Sequence, residues 1–337
     1  MKKKIHRKKL FKQLLIISLL TNLIEYDDYF KYVKINNLKN DSSLKIFVMT
    51  HKDFRNFRYN QVYNIVADEK SQLKNTYNLK TFYANQGKLY NMKKAYGEMS
   101  KLYYIYQLYK EGKITSKFIG LNDYKRYFNF TDNIPDLESI FKNYDIILNP
   151  PHIKRRGMRS QFCRYHICQT YDEILNIIKD IKPDFYETAV NTSKEQKIFF
   201  CNLFIMKTKD FLEYCKFIYE VLFEFDRRNN LTSDDDVLIY IKKHYGIEKF
   251  YDYQSRLHGF LAERLSNIFY YHHFKKIKSI DIVRYINPLD VKDYFFQKQT
   301  YIKKQMLYKN LENILFSMKI NIFLLNFTFI KTNVYNF

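Results

Sequence analysis

Short apolar runs, each closed by polar residues and separated by stretches with helical spacing, constrain this chain most. Lys45-Ile-Phe-Val-Met-Thr50 leads into His51 and Lys52. Lys117-Phe-Ile-Gly-Leu121 leads into Asn122, Asp123 and Tyr124, and Tyr144-Asp-Ile-Ile-Leu148 stops at Asn149-Pro150-Pro151. Ile198-Phe-Phe-Cys-Asn-Leu-Phe-Ile-Met206 is the strongest such run in the second half. Apolar runs of this length, bounded by turn residues, read as buried strands. Residues 93–110 read as a helix with Ala95, Met99, Leu102, Tyr106 and Tyr109 on one face, and Thr208 opens another that reaches about Asp226. A third, 256–270, has the apolar stripe Leu257, Phe260, Leu261, Leu265 and Ile268, with Arg256, Glu263 and Asn267 on a second stripe. Strands alternating with helices predict an α/β sandwich with a mostly parallel central sheet. Ligands of such folds bind beyond the carboxyl ends of strands. That singles out Thr50, His51 and Lys52, and Asn122, Asp123 and Tyr124.

The 337 residues include 30 Phe and 32 Tyr, enough for a large core, so a wholly disordered chain is excluded. A net charge of +22 attracts nucleic acid, anionic lipid or phosphorylated substrates without choosing among them, and a general bias toward Lys gives the same excess. The four cysteines form no C-x-x-C pair, which disfavours a structural zinc and fits free thiols in a reducing cytosol. Residues 1–12 hold seven Lys or Arg and precede the apolar run Leu14 to Leu20, too short to span a bilayer. The segment reads as a basic amphipathic helix on an anionic membrane surface or as a solvated arm. The expected organisation is a basic N-terminal extension over 1–43, one α/β domain over 44–275 and a C-terminal extension over 276–337 that contains the apolar stretch Ile320 to Ile330.

No P-loop, dinucleotide glycine fingerprint, H-E-x-x-H or G-x-S-x-G motif is present. The cluster Asp123, Lys125 and Arg126 could hold a diphosphate, either directly through its cations or through a divalent metal on Asp123. It also reads as a solvated strand-to-loop junction. Asp234-Asp235-Asp236, between Ser233 and an apolar run, reads as a helix N-terminus rather than a metal site. Glu98 lies at the edge of an apolar helix face, and Glu263 shares a stripe with Arg256, so either an ordinary ion pair or a reactive carboxylate fits. The histidines are scattered and show no metal-ligand spacing.

Several segments together resemble a bacterial capsular and exopolysaccharide glycosyltransferase family, long known as a domain of unknown function. They are Val48-Met-Thr-His-Lys52, Gly97-Glu98-Met99-Ser100, Gly120-Leu-Asn-Asp-Tyr-Lys-Arg-Tyr-Phe128, Asn202-Leu-Phe-Ile-Met206 with Glu213-Tyr-Cys215, and Gly259-Phe-Leu-Ala-Glu-Arg-Leu265. They span about residues 45 to 275 in order. Asp123 stands where the family pattern has His, and Lys125 where it has Arg, so donor handling can differ here.

The resemblance implies a GT-A-like fold and transfer of a sugar from a nucleotide-sugar donor to a saccharide or lipid-linked saccharide acceptor. On that reading Thr50, His51 and Lys52 serve the nucleotide. Asn122, Asp123, Tyr124 and Arg126 serve the donor diphosphate, with Mn²⁺ or Mg²⁺ on Asp123 as the candidate cofactor. Glu263 and Asp123 are the expected catalytic residues, and transfer is expected to depend on Glu263. Glu98, Asn202, Arg256, His258 and Arg264 support the site or its acceptor side. The expected location is the cytoplasm, at the inner face of the membrane. The rival readings are a nucleic-acid-binding protein and a non-catalytic scaffold of a polysaccharide complex. The aromatics fall mainly on apolar helix faces and in strands, where core packing accounts for them, so no specific nucleic acid is expected.

Overall fold

The computed structural model describes residues 43–51, 62–68, 80–84, 89–130, 134–244 and 251–284. Its strands are β1 (Leu44–Met49), β2 (Tyr63–Ala67), β3 (Thr81–Tyr83), β4 (Phe118–Asp123), β5 (Arg126–Phe128), β6 (Ile146–Leu148), β7 (His152–Ile153), β8 (Lys197–Ile198), β9 (Phe204–Lys207), β10 (Ile277–Ser279) and β11 (Ile282–Arg284). Its helices are α1 (Lys93–Tyr96), α2 (Glu98–Lys110), α3 (Leu137–Asn143), α4 (Met158–Tyr165), α5 (Cys168–Ile181), α6 (Pro183–Lys194), α7 (Thr208–Asn229), α8 (Asp234–His244), α9 (Tyr251–Gln254) and α10 (Leu257–His273).

The main sheet runs in the order β10-β6-β9-β4-β1-β2-β3, with β5 and β11 paired beyond β4. All pairs along this path are parallel except those of β9, which runs antiparallel to both β4 and β6. This is the predicted α/β architecture, and it places the amino end of β9 beside the carboxyl ends of its neighbours. Side chains alternate between the faces. Phe47, Met49, Ile119, Leu121, Phe204 and Met206 belong to the core shared with α2, α7 and α10. Ile46, Val48, Phe118, Ile147 and Ile205 join the core on the other face, with Leu137 and Phe141 of α3. Gly120 sits where β1, β4 and β9 press together. A Cβ there would lie 2.8 Å from Ile46 Cγ1 and 3.2 Å from Ile205 Cγ1.

Several expectations change. The run 198–206 is not one strand: it leaves β8, turns at Cys201 (φ 73°) and Asn202 (φ 48°), and enters the main sheet as β9. The turn is needed because β8, among the described residues, pairs with β7 alone, in a separate ribbon. The expected helix over 93–110 is broken at Gly97, although all five residues of its predicted face are buried. Residues 277–284, placed by the sequence reading in the C-terminal extension, form β10 and β11 of the main sheet. Cys163 and Cys168, read as thiols, are joined as a disulfide between α4 and α5, where the break at His166 and Ile167 brings their Cα atoms to 4.3 Å.

The acidic run behaves as predicted. Ser233 Oγ accepts the Asp236 amide at the start of α8, and Asp236 accepts both the amide and the hydroxyl of Thr232. Asp234 also accepts the Lys94 and Ala95 amides of α1. Residues 1–42, Lys52 and 285–337, and with them the basic N-terminal segment and the stretch 320–330, lie outside the described residues. No helix among the described residues is long and apolar enough to cross a membrane.

Candidate active site

The carboxyl end of β4 and the amino end of β9 meet in register at Leu121 and Phe204. The chain just before β9 and just after β4 therefore shares one edge of the sheet. Asp123 closes β4, and its Oδ1 accepts the Lys125 amide at 2.5 Å while its Oδ2 pairs with Arg126 on β5. Thr50 is buried at the end of β1, where its amide donates to Val66 O at 3.0 Å. His51 is exposed and meets the ring of buried Tyr124 edge-on, with centroids 5.4 Å apart. Asn122 is buried, and among the described residues neither its amide oxygen nor its nitrogen finds a hydrogen-bond partner.

The turn before β9 gathers the other carboxylates. Glu263 of α10 accepts the Cys201 amide on Oε1 at 3.0 Å and Arg264 Nη1 on Oε2 at 2.8 Å. Asn202 donates from Nδ2 to Glu98 Oε1 at 2.7 Å, and Ser266 Oγ donates to Asn202 Oδ1 at 2.9 Å. Asn267, one turn of α10 beyond Glu263, accepts the Phe199 amide and donates to its carbonyl, both at 2.8 Å. Two adjacent turns of one helix, through Glu263, Ser266 and Asn267, thus hold the 199–202 segment in its unusual backbone shape.

Glu98 is the first residue of α2 and is partly exposed at this edge. Desolvation by the surrounding protein pushes its pKa up to about 7; the Asn202 hydrogen bond opposes the shift, the charges of Asp123 and Glu263 add to it, and Arg256 opposes it. Burial pushes the Cys201 thiol up to about 12 against the pull of Arg126, so it stays protonated and is no nucleophile at neutral pH. Glu98 owes its position to Gly97, whose φ of 56° and ψ of −125° break the helix just before it. No atom crowds a Cβ at Gly97, so only the backbone conformation demands glycine. Gly97→Ala is expected to cost about 1–3 kcal/mol of stability by denaturant titration. An unchanged midpoint would mean the break does not need glycine.

Other predicted residues separate from this group. Arg264 is the arginine that bonds Glu263, whereas Arg256 is exposed above the Phe260 ring and acts on Glu98 only through its charge. His258 is fully buried away from the edge, with Nε2 2.6 Å from Asp226 Oδ1 and its ring stacked on Tyr96. It belongs to the core between α1, α7 and α10 and not to the expected acceptor side, because the apolar stripe of α10 turns its side chain inward. Ser266, Tyr214, Gln161 and the turn at Cys201 were not foreseen. The one available signal was Cys-Asn inside an apolar run, since Asn tolerates a positive φ.

A cation on Asp123 would share its oxygens with Arg126 and the Lys125 amide and would sit against the Arg126 charge. Among the described residues no group of three His, Cys, Asp or Glu is arranged to hold a metal ion. The donor set fits an arginine clamp better than a metal site.

A model of the family described as "Domain of unknown function (DUF4422)" matches residues 45–276. The apo structure of the WbbM bifunctional glycosyltransferase superposes with a TM-score of 0.55 at 16% identity, covering 73% of this chain. The match takes in only 46% of that longer chain. No curated protein matches this sequence.

Proposed function

The chain belongs to the DUF4422 family, and from that premise we propose that it is a glycosyltransferase, moving a sugar from a nucleotide-sugar donor to a saccharide or lipid-linked saccharide acceptor of a capsular, exopolysaccharide or lipopolysaccharide. The observation that carries the reading is the convergence of Glu98, Asp123 and Glu263 with Arg126 around the Cys201–Asn202 turn, at the strand edge where α/β sheets bind ligands. The fold shared with WbbM supports it.

Transfer breaks the bond between the sugar and the donor diphosphate, so negative charge grows on the leaving phosphate. Arg126, preorganised by Asp123, is the cation placed to meet that charge. Thr50, His51 and Tyr124 flank the same edge on the side of β1 and would face the nucleotide. Asn122 supports this assignment: its buried amide has no partner among the described residues, a costly state that polar atoms of a donor would relieve. The basic N-terminal segment would hold the enzyme at the inner face of an anionic membrane, near a lipid-linked acceptor.

Thermal unfolding in the presence of UDP-, GDP-, CMP- and dTDP-sugars tests the proposal. A ligand that binds only the native state at about 100 times its Kd adds about 2.7 kcal/mol of stability. One nucleotide class is expected to raise Tm, with little further effect of Mn²⁺ given the arginine clamp. A shift that requires Mn²⁺ would restore Asp123 as a metal ligand. No shift with any donor, together with polynucleotide binding that collapses with salt, would replace the proposal with the nucleic-acid reading.

A further inference from the structure

Of the three carboxylates at the site, two accept hydrogen bonds from the protein on both oxygens. Both oxygens of Asp123 are taken by Lys125 and Arg126, and both oxygens of Glu263 by the Cys201 amide and Arg264. Glu98 accepts one hydrogen bond, on Oε1 from Asn202, and no described residue donates to its Oε2. Behind Asn202 stands a row of hydroxyls: Ser266 Oγ is 2.9 Å from Asn202 Oδ1, and Tyr214 Oη is 2.8 Å from Ser266 Oγ. An ionised carboxylate only accepts, so the amide NH₂ of Asn202 must face Glu98 and its carbonyl must face Ser266. Asn202, Ser266 and Tyr214 are all buried, which leaves the amide without water to turn toward.

We infer that Glu98 is the proton acceptor of the transfer reaction, held by Asn202 and the Ser266–Tyr214 hydroxyls as positioning residues, and that Glu263 is a tie that shapes the Cys201–Asn202 turn. The inference rests on the glycosyltransferase reading. In the step, the acceptor oxygen forms a bond to the anomeric carbon as the bond from that carbon to the diphosphate oxygen breaks. The bonding pair leaves on the nucleoside diphosphate. The acceptor proton passes to Glu98 Oε2 and later to water. A base works best when its proton affinity matches the working pH, and the pKa of about 7 meets that condition.

The charged and titratable groups around Glu98 come from every packed element: Asp123 of β4, Arg126 of β5, Cys201 of the turn, Arg256 before α10, Glu263 of α10, and Tyr214 and Tyr270 in the core. Their signs set the expected pH behaviour. Glu98 must be ionised to accept a proton, so transfer rises with pH through about 7. Removing the like charge in Glu263→Gln lowers the proton affinity of Glu98 and moves this limb to lower pH. Ser266→Ala removes the donor that holds the Asn202 carbonyl, which weakens the Asn202 hydrogen bond to the carboxylate and moves the limb to higher pH.

The experiment measures kcat, KM and their pH profiles with the donor that raises Tm, alongside infrared difference spectra without substrate. Glu98→Gln is expected to lower kcat by at least about 100-fold while the donor still raises Tm. Wild type minus Glu98→Gln should show a carboxyl band that titrates between about pH 6 and about pH 8, against an ordinary value near 4.3. Ser266→Ala should move the kcat limb upward with donor KM unchanged, a result that a purely structural hydroxyl would not give. Full transfer by Glu98→Gln, or a Glu98 band that titrates near the ordinary value, overturns the inference. Absence of any donor-induced shift in wild type instead overturns the glycosyltransferase reading, and the infrared titration still reports on Glu98.

Discussion

Asp226→Ala should cost about 3–5 kcal/mol, among the largest losses available to a single side chain here. Asp226 is buried on α7 and accepts from Tyr96 Oη on Oδ2 and from His258 Nε2 on Oδ1, both at 2.6 Å. The Tyr96 and His258 rings stack 4.4 Å apart, so one carboxylate joins α1, α7 and α10. Truncation strands two buried donors, each costing about 1–3 kcal/mol, and leaves a small cavity. Asp226→Asn should cost much less. Its carbonyl still accepts from Tyr96, and its NH₂ can donate to His258 in the other ring tautomer. Urea midpoints for the two variants measure the difference. If Asp226→Ala falls within about 1 kcal/mol of wild type, the network does not hold the helices together. Tyr96 lies two residues before Glu98, so the same loss should also loosen the active-site edge.

What the sequence reveals and what it hides follow one physical line. Strands β1, β4 and β6 are legible because buried parallel strands are nearly continuous apolar runs. The faces of α2 and α10 are legible because their apolar residues recur at helical spacing. The break between β8 and β9 is not, because its cause lies in α10: Glu263 and Asn267 grip the backbone from 62 and 68 residues away. Strand β10 is short and only partly buried, so residues 277–279 carry little apolar signal, and pairing with β6 alone identifies them. The candidate site divides in the same way. Asp123 and Arg126 are close in sequence and could be read as a cluster. That Glu98 meets Asn202, 104 residues away, was visible only as two separate motifs of one family resemblance. The depth of His258 and Arg264 was hidden because polar residues do not announce burial, which depends on partners that sequence spacing does not supply.

Arg264→Ala should be as costly as Asp226→Ala, about 3–5 kcal/mol, and should also disturb the active-site turn. Arg264 is 1% exposed, and its guanidinium lies 5.3 Å from the ring centres of both Phe162 and Phe200. One nitrogen donates to Glu263 and another to Gln161 Oε1 at 2.7 Å. Truncation removes the charge partner of a partly buried carboxylate, strands Gln161 and opens space between two aromatic rings. Arg264→Lys keeps the charge but not the planar fork, so it cannot serve both partners and stack at once; an intermediate loss is expected. Arg264→Met refills the space without the charge and separates packing from pairing. A double-mutant cycle of Arg264→Met with Glu263→Gln should give a coupling of about 1–3 kcal/mol, since each change removes what the other side chain was held by. His166 supplies a second readout. Burial, and then the charge of Arg264, lower its pKa to about 4, so in Arg264→Met the imidazole should titrate at higher pH by NMR. Strict additivity in the cycle, with His166 unmoved, would mean that Arg264 acts through its stacked rings alone, and Glu263 would then need another partner to hold the Cys201 turn.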